Sequence, residues 1–322
     1  MTELKLTKDS LFTFLKEVES FISTYTQEPS LPYKCPRLNS FKSVIILISI
    51  SAIIKLVYGL SATVHSEKYG LYVGDSEFHR HWLEVTTHLP VSEWYVESGF
   101  NPRYFLFLDY PVVTAYFHGF IGRIFIDKIV PEAIEKTTIG GRGQIHTPDV
   151  LDVNATEPYV NSEGVTMYPP QCSYFYRGYK YFFVMRVLFV IFDSLLLGTA
   201  CLTLAQFLWR KVNSRLRFCV TLILLLNPIL MIVDHGNPQV NFLMVSFFLL
   251  AVRFALSSHF ALSASFALLS VFSKITALSV MPSFAVLVLA RLYHSKASNC
   301  AKLISLARIG IAVVFTFLVI HF

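Results

Sequence analysis

The 322-residue chain is poor in charge, because only 15% of its residues are Asp, Glu, Lys or Arg, whereas 54% are hydrophobic. A water-soluble protein cannot carry that much apolar side chain without exposing large patches, so the composition excludes a pair of soluble domains. Several long stretches contain none of the four charged residue types: Ser43–Ile54, Phe218–Val233, Gln239–Val252, Phe254–Ser273, Ile275–Ala290 and Ile309–Phe322. Such runs predict an all-α polytopic membrane protein that spans a lipid bilayer.

Cysteine is scarce as well, and no two of the five cysteines are spaced as a CxxC pair. The sequence therefore indicates neither a disulfide framework nor a zinc site. The net charge of +6 could suggest a nucleic-acid partner. However, the basic residues lie at the ends of apolar segments, which is typical of topology signals, so we expect no nucleic-acid binding.

The amino-terminal part differs from the rest of the chain. Residues 1–40 are polar and of mixed charge, and basic residues cluster just before a first span predicted at Phe41–Ser61. Basic residues flanking a span favour the cytosolic side. We therefore predict a cytosolic tail at 1–40, a membrane domain at 41–322 and, in a eukaryotic secretory membrane, a lumenal loop at about 62–108.

Two interpretations of the topology remain open. The tract Tyr110–Val130 is apolar but contains His118, Arg123 and Asp127, so it either crosses the membrane or is re-entrant or interfacial. The second interpretation keeps the basic connector near Arg210 cytosolic, in line with the positive-inside rule. It also makes 131–172 lumenal, where the Asn154 sequon could be glycosylated.

The carboxyl-terminal half adds further spans. An apolar span is predicted at about Tyr181–Trp209, and Phe254–Ala290 is long enough for a bent helix or a hairpin that breaks near Lys274 and Pro282. We expect about six to eight crossings in total.

The densest polar cluster is Gly74–Trp82, directly after the first span. Apolar residues at helical spacing predict a short amphipathic helix over Ser76–His88, lying along the membrane surface. Asp75 could act as a general base towards a hydroxyl, and Arg80 with a neighbouring histidine could hold a phosphate. The alternatives are a solvated loop helix and a metal site formed by Asp75, His79 and His81.

Four further positions combine charge with an apolar setting. Asp109, before Tyr110-Pro111, either contacts substrate or caps a helix. Asp234 and His235 follow an uncharged stretch, where unpaired ionisable groups are costly and often functional, or else they mark where a helix emerges. Lys274 could bind an anionic headgroup or phosphate, snorkel, or pair with a buried acid. Arg186 and Asp193 are interpreted as structural, each with a partner elsewhere in the chain.

Taken in order, these motifs resemble a known family. The blocks GDSEFHRHWLEVTTHLPVSEWY (Gly74–Tyr95), LDYPVVTAY (Leu108–Tyr116), Arg177-Gly178 and DHG (Asp234–Gly236) are similar to those of the dolichyl-phosphate-glucose glucosyltransferases. That family works in the endoplasmic reticulum, in the assembly of the lipid-linked oligosaccharide for asparagine glycosylation. Its two branches add the first and the second glucose. Residues such as Gly74 and Gly236 favour the first-glucose branch, whereas Phe78-His79-Arg80 is closer to the second.

The resemblance implies a GT-C fold whose lumenal loop carries interfacial helices, in a multi-pass protein of the endoplasmic reticulum. It implies an inverting transfer of glucose from dolichyl-phosphate glucose to the dolichyl-diphosphate-linked oligosaccharide, with an α-1,3 linkage, no cofactor and no metal. The family's catalytic base falls on Asp75. Seven residues are expected to bind substrate, among which Arg80, His235 and Lys274 are our own candidates for the phosphate: Glu77, Arg80, Asp109, Tyr110, Asp234, His235 and Lys274.

The chain also departs from the family. Pro111-Val112 replaces two prolines, and Asn237–Asn241 keeps only the Gln and the Asn of an aromatic-rich HFQYN pattern. Family members are considerably longer, which suggests a fragment or a truncated, inactive relative. A non-catalytic relative of the same scaffold is therefore the alternative hypothesis, and an unrelated transporter ranks last because no inverted repeat of hydropathy is visible.

Overall fold

The structure is a computed structural model that describes residues 41–61, 75–98, 101, 107–134, 159–160, 166–167, 179–209, 213–236 and 239–321. These residues form nine helices of ten or more residues: α1 (Phe41–Ser61), α2 (Asp75–His88), α3 (Val112–Ile121), α4 (Tyr179–Leu208), α5 (Ser214–Leu225), α6 (Asn241–Leu256), α7 (Phe260–Ser273), α8 (Met281–Tyr293) and α9 (Asn299–His321).

Shorter elements connect the helices. Single 3₁₀ turns lie at Val91–Glu93 and Pro131–Ala133, and a longer one at Ile275–Val280. Two π-helical segments follow α3 and α5, at Gly122–Ile126 and Met231–Gly236. One-turn α-helices lie at Asp127–Ile129 and Pro228–Leu230, and the strands β1 (Tyr159–Val160) and β2 (Thr166–Met167) pair antiparallel.

Five helical stretches of the described chain are long and apolar enough to cross a membrane: Lys42–Ser61, Lys180–Leu208, Ser214–Gly236, Ile275–Tyr293 and Asn299–His321. This confirms the all-α polytopic membrane class, and the first span has the bounds predicted from the sequence. The helices α6 and α7 are apolar but shorter. The number of crossings, about six to eight, therefore stays a prediction.

The tract Tyr110–Val130 is not among these five stretches. It forms α3, a π-helical segment and one final turn, and it carries Arg123, Asp127 and Lys128 within 18 residues. Because three charges within one such run are costly in the bilayer core, the tract fits the interfacial or re-entrant interpretation better than a crossing.

The helix α4 is the centre of the fold, since 61% of its apolar stretch is buried, compared with 6% for α9. One core joins α3, α4 and the start of α6 through Ile121, Phe189 and Phe242. A second joins α1, α4 and α5 through Leu47, Leu197 and Phe218. The helices α6, α7 and α8 form a third core. The chain breaks between α7 and the following 3₁₀ turn at Lys274, where the backbone is extended, as predicted.

The polar helix α2 packs closely against α3 and the π-helical segment that follows it. A Cβ on Gly122 would collide with the Thr87 hydroxyl, and one on Gly119 would touch Trp94 and the Thr86 carbonyl. Gly119 in α3 and Gly122 at the start of the π-helical segment leave a flat face there, which lets the helix backbones approach. A fourth core, with Trp82 and Trp94, lies beside this contact.

Burial of α2 corrects an expectation from the sequence. The helix is present over the predicted residues, but its polar side chains are buried together with its apolar ones, among them Glu77, Arg80 and Glu84. The alternative of a solvated loop helix is therefore wrong, whereas the position of α2 along the membrane surface stays a prediction. The predicted tail 1–40, the Asn154 sequon, Arg177-Gly178 and Pro238 lie outside the described residues.

Candidate active site

The polar face of α2 is held together by one arginine. The Arg80 Nε donates to both Glu77 carboxylate oxygens at 2.8 and 2.9 Å, and Nη1 donates to Glu84 at 3.2 Å and to the Ala133 carbonyl at 3.0 Å. Burial opposes the guanidinium charge, but the carboxylates of Glu77 and Glu84 outweigh it and raise the Arg80 pKa above its usual value. Glu77 and Arg80, both predicted to bind substrate, are thus bonded to each other.

Two buried histidines, His79 directly before Arg80 on α2 and His118 on α3, lie edge to edge in nearly one plane. The rings of His79 and His118 are 5.0 Å apart and inclined by 4°, and His79 Nδ1 lies 2.8 Å from His118 Nε2. The His118 Nδ1 lies 2.8 Å from the Thr114 carbonyl, which can only accept, so this nitrogen carries the proton. In a neutral ring His118 Nε2 then accepts, and His79 Nδ1 donates.

A proton added to either ring would place a charge in a buried site, and on His118 it would also force His79 to change its tautomer. Burial lowers the pKa of His118 from 6.5 to about 4, opposed by the Thr114 carbonyl. Burial first, then the charges of His118 and Lys274, lower the pKa of His79 well below 6.5. Both imidazoles are therefore neutral at pH 7.

We predict that the protein loses stability in mild acid. Between pH 6.5 and about 4 the unfolded chain binds protons that the folded pair excludes, so the free energy of unfolding falls as the pH falls through 6.5. Thermal unfolding in detergent at pH 7.5 and 5.5 measures this slope. A His118→Asn variant should show a shallower slope, and equal slopes in the two proteins would contradict the assignment.

The side chains of α2 around His79 also contact Tyr110. Its ring lies 4.7 Å from the Trp82 ring and 6.0 Å from the His79 ring, so α2 fixes its position. The Lys274 ammonium lies 5.2 Å from the centroid of the Tyr110 ring, a cation–π contact. Asp109, Tyr110 and Lys274, three of the predicted substrate-binding residues, are thus brought together.

Asp109 is exposed at the edge of this group. Partial burial raises the pKa of its carboxyl, against the lowering effects of its own backbone N–H and of Lys274. The alternative that Asp109 caps α3 is wrong, because Pro111 occupies the cap position and no side chain bonds there. The Asp109 carboxylate therefore does not cap the start of α3.

Lys274 is held by neutral groups. Its Nζ donates to Asn241 Oδ1 at 2.5 Å and lies 3.4 Å from Gln239 Oε1. Within the described parts of the chain no carboxylate comes within ion-pair distance of this half-buried ammonium. The described residues therefore do not support the alternative that Lys274 pairs with a buried acid. The ammonium charge of Lys274 can instead bind an anionic ligand.

Asp234 holds in place the asparagine, Asn241, that binds Lys274. Its Oδ1 accepts from the Asn241 backbone at 3.2 Å and side chain at 2.8 Å, and its Oδ2 accepts from the Phe242 N–H at 2.6 Å. Backbone N–H groups at a helix start have no partner within the helix, so a buried carboxylate is well placed there. Asp234 thus fixes the start of α6 and orients the amide that bonds Lys274.

His235 points to a different cluster. Its Nε2 donates to Asp193 Oδ2 at 2.6 Å, and Lys55 Nζ donates to the same oxygen at 2.6 Å. All three side chains are at most 3% exposed and come from α1, α4 and the π-helical segment after α5. The expectation that Asp193 has a partner elsewhere is confirmed. The view that Asp234 and His235 only mark a helix end is wrong.

Asp75 is the first residue of α2, and its side chain lies outside the described ones. On the helix it precedes His79 by one turn, or about 6 Å along the axis. Its backbone therefore lies at the end of α2 nearest the His79–Tyr110 contact. The described residues contain no group of three His, Cys, Asp or Glu side chains that could hold a metal ion.

Sequence reasoning missed Lys55, His118 and Thr114. Lys55 is a single charge inside a strongly apolar span, and the sequence pattern there indicated only a membrane helix, with no role for the lysine. His118 and Thr114 are four residues apart on one helix, which was a readable signal of a shared face.

Comparison with known proteins gives one family and several relatives. The family described as "ALG6, ALG8 glycosyltransferase family" matches residues 41–144 and 166–322. A Caenorhabditis elegans protein named "Probable dolichyl pyrophosphate Man9GlcNAc2 alpha-1,3-glucosyltransferase" is 32% identical over 154 residues, 47% of this chain and 30% of that protein. A Dictyostelium discoideum protein of the same name is 24% identical over 278 residues, 85% of this chain and 47% of its own.

A Saccharomyces cerevisiae protein named "Dolichyl pyrophosphate Man9GlcNAc2 alpha-1,3-glucosyltransferase" is 28% identical over 239 residues, 73% of this chain and 36% of that protein. The chain thus spans less than half the length of these relatives. Because the family match covers both the polar helix α2 and the membrane helices α4 to α9, the chain belongs to the ALG6, ALG8 glycosyltransferase family.

Proposed function

We propose that the protein transfers glucose from dolichyl-phosphate glucose to a dolichyl-diphosphate-linked Man9GlcNAc2 oligosaccharide, in an α-1,3 linkage. The observation that carries this proposal is the family match over α2 and the membrane helices. The relatives' names specify Man9GlcNAc2 and an α-1,3-glucosyltransferase, which supports the first-glucose branch. The family setting supports a multi-pass protein of the endoplasmic reticulum membrane. The basic residues that precede α1 support a cytosolic amino terminus and hence a lumenal loop at 62–108.

The reaction needs a base and a cation, and no cofactor or metal is proposed. Asp75 takes the proton of the acceptor hydroxyl, whose oxygen forms a bond to the anomeric carbon of glucose. The bond from that carbon to the phosphate oxygen breaks on the opposite face, and dolichyl phosphate leaves with the electron pair. This single displacement inverts the β-linked donor to an α-linked product. The developing phosphate charge requires a nearby positive group.

Lys274 is the candidate for that positive group. Its ammonium is held by the Tyr110 ring and by two amides, and none of these partners neutralises it. Arg80, in contrast, is already bonded to two carboxylates, and His235 is bonded to Asp193. These contacts favour Lys274 as the group that meets the phosphate.

We predict that Lys274→Met lowers glucose transfer about 10²-fold, because one donor to a developing anion is removed. Initial rates at varied dolichyl-phosphate glucose measure the loss. Lys302→Met is a matched control, because Lys302 also lies over a tyrosine ring, that of Tyr293 at 5.6 Å, but on α9. Equal rates in the two variants would remove Lys274 from the reaction.

A glycan profile tests the function itself. Cells that lack the first glucose transfer should accumulate the Man9GlcNAc2 lipid, and expression of this chain should extend it by one hexose. Mass spectrometry of the released oligosaccharides detects the change. An unextended oligosaccharide in the presence of folded protein would favour the non-catalytic relative, to which the altered residues Val112, Asn237, Pro238 and Val240 point.

A further inference from the structure

The two parts of the proposed site come from distant parts of the sequence. The base candidate Asp75 begins α2, whereas Lys274 follows α7, almost 200 residues later. A displacement needs the base and the leaving-group cation at a fixed separation, on opposite faces of the sugar. The fold must therefore contain a connection that sets the distance between α2 and the start of the Lys274 segment.

Three buried hydrogen bonds form such a connection. His79 on α2 donates to His118 on α3 at 2.8 Å, and His118 donates to the Thr114 carbonyl at 2.8 Å. The Thr114 hydroxyl then donates to the Ser273 carbonyl at 2.6 Å. All four residues are at most 2% exposed. The chain of bonds thus runs from the first turns of α2 to the residue next to Lys274.

Thr114 is the only member of this chain that joins α3 to α7. Ser273 is the last residue of α7, so its carbonyl has no partner inside the helix. Lys274 leaves the helix with extended backbone angles, φ −153° and ψ 126°. The Thr114 hydroxyl binds the carbonyl at the point where the backbone turns, and it thereby fixes the direction in which Lys274 departs.

We propose that Thr114 is a positioning residue that sets the separation between the base end of α2 and the Lys274 ammonium. This inference rests on the proposed glucosyl transfer for its effect on rate, but the geometry it assigns does not. The hydroxyl carries the role, because it donates the hydrogen bond to the Ser273 carbonyl.

The experiment compares Thr114→Val, which keeps the shape but removes the hydroxyl, with Thr114→Ser, which keeps the hydroxyl. The valine variant is expected to lower kcat about 10- to 100-fold with little change in KM. The serine variant should stay within about 3-fold of the wild type. Thr221→Val is the control, because the Thr221 hydroxyl is buried but bonds Arg217 inside its own helix, α5. If the valine variant does not fold, Thr114→Ala removes the same hydroxyl without added bulk.

A distance measurement decides the geometry independently of activity. Spin labels are attached at two exposed positions, Ser92 beyond the carboxyl end of α2 and Leu278 beyond Lys274, in a protein whose native cysteines are replaced. They report the distance between α2 and the segment that follows Lys274. The valine variant should broaden the distance distribution, and the serine and Thr221 variants should not.

The outcomes separate the two claims. A wild-type chain that transfers no glucose defeats the proposed function, while the distance distribution still decides the role of Thr114. A valine variant with wild-type rate and an unchanged distribution overturns the inference. Equal losses in the valine and serine variants also overturn it, because they would assign the effect to packing.

Discussion

Asp75→Asn is expected to reduce glucose transfer about 10²- to 10⁴-fold, the range that a general base contributes, without reducing the amount of folded protein. The amide has the same shape as the carboxylate but cannot accept the acceptor's proton. The backbone of Asp75 begins α2, one turn before His79, whose ring contacts Tyr110 beside the Lys274 ammonium. The base candidate and the cation therefore flank one region.

The control for this prediction is Asp127→Asn. Asp127 is an exposed carboxylate on the turn after α3, outside the cluster around Tyr110. Its variant should transfer glucose at the wild-type rate. Initial rates of both variants in the same membranes make the comparison, and an Asp75→Asn protein with unchanged rate would remove Asp75 as the base.

The second large effect concerns stability. Lys55→Met is expected to lower the free energy of unfolding by about 3–5 kcal/mol, the range measured when one partner of a buried ion pair is removed. Lys55 and Asp193 are both about 1% exposed, and their side chains are 2.6 Å apart. After the substitution the one hydrogen bond left to the Asp193 carboxylate, among the residues that the structure describes, is that from His235.

A double variant isolates the pairwise interaction. Lys55→Met together with Asp193→Leu removes both charges, so the combined loss should be smaller than the sum of the single losses. Unfolding in detergent measures all three proteins, with the exposed Lys128→Met as the surface control. Additive losses would mean that the two residues do not stabilise each other.

Much of the fold could be predicted from local patterns. The bounds of α1 follow from an uninterrupted apolar run after a basic cluster, and the break at Lys274 follows from a lone charge in an apolar stretch. These features depend on residues adjacent in sequence. The Lys55–Asp193 pair was not predictable, because its partners are 138 residues apart and only the packing of α1 on α4 brings them together.

The burial of α2 shows where periodicity alone is insufficient. A polar face on a short helix is typical of a surface position. Here Arg80 is three residues after Glu77 and four before Glu84, a spacing at which opposite charges neutralise each other on one face. The neutralised face can be buried, and Arg80 bonds the Ala133 carbonyl there. The spacing of the charges therefore indicates a burial that the hydrophobic pattern does not.

The departures from the family pattern also become clearer. After DHG, only the Gln and the Asn of the aromatic-rich pattern are retained, as Gln239 and Asn241. These two side chains both accept hydrogen bonds from the Lys274 ammonium. The retained residues thus preserve the support of the proposed phosphate-binding cation, although the aromatic residues around them are lost.

Donor use tests the central claim most directly. The purified chain is mixed with the Man9GlcNAc2 lipid acceptor and with glucose-labelled dolichyl phosphate or, separately, a glucose-labelled nucleotide. The account predicts that label enters the acceptor only from dolichyl-phosphate glucose and that the new linkage is α-1,3. Label from the nucleotide sugar, or no label from either donor with folded protein, would contradict it.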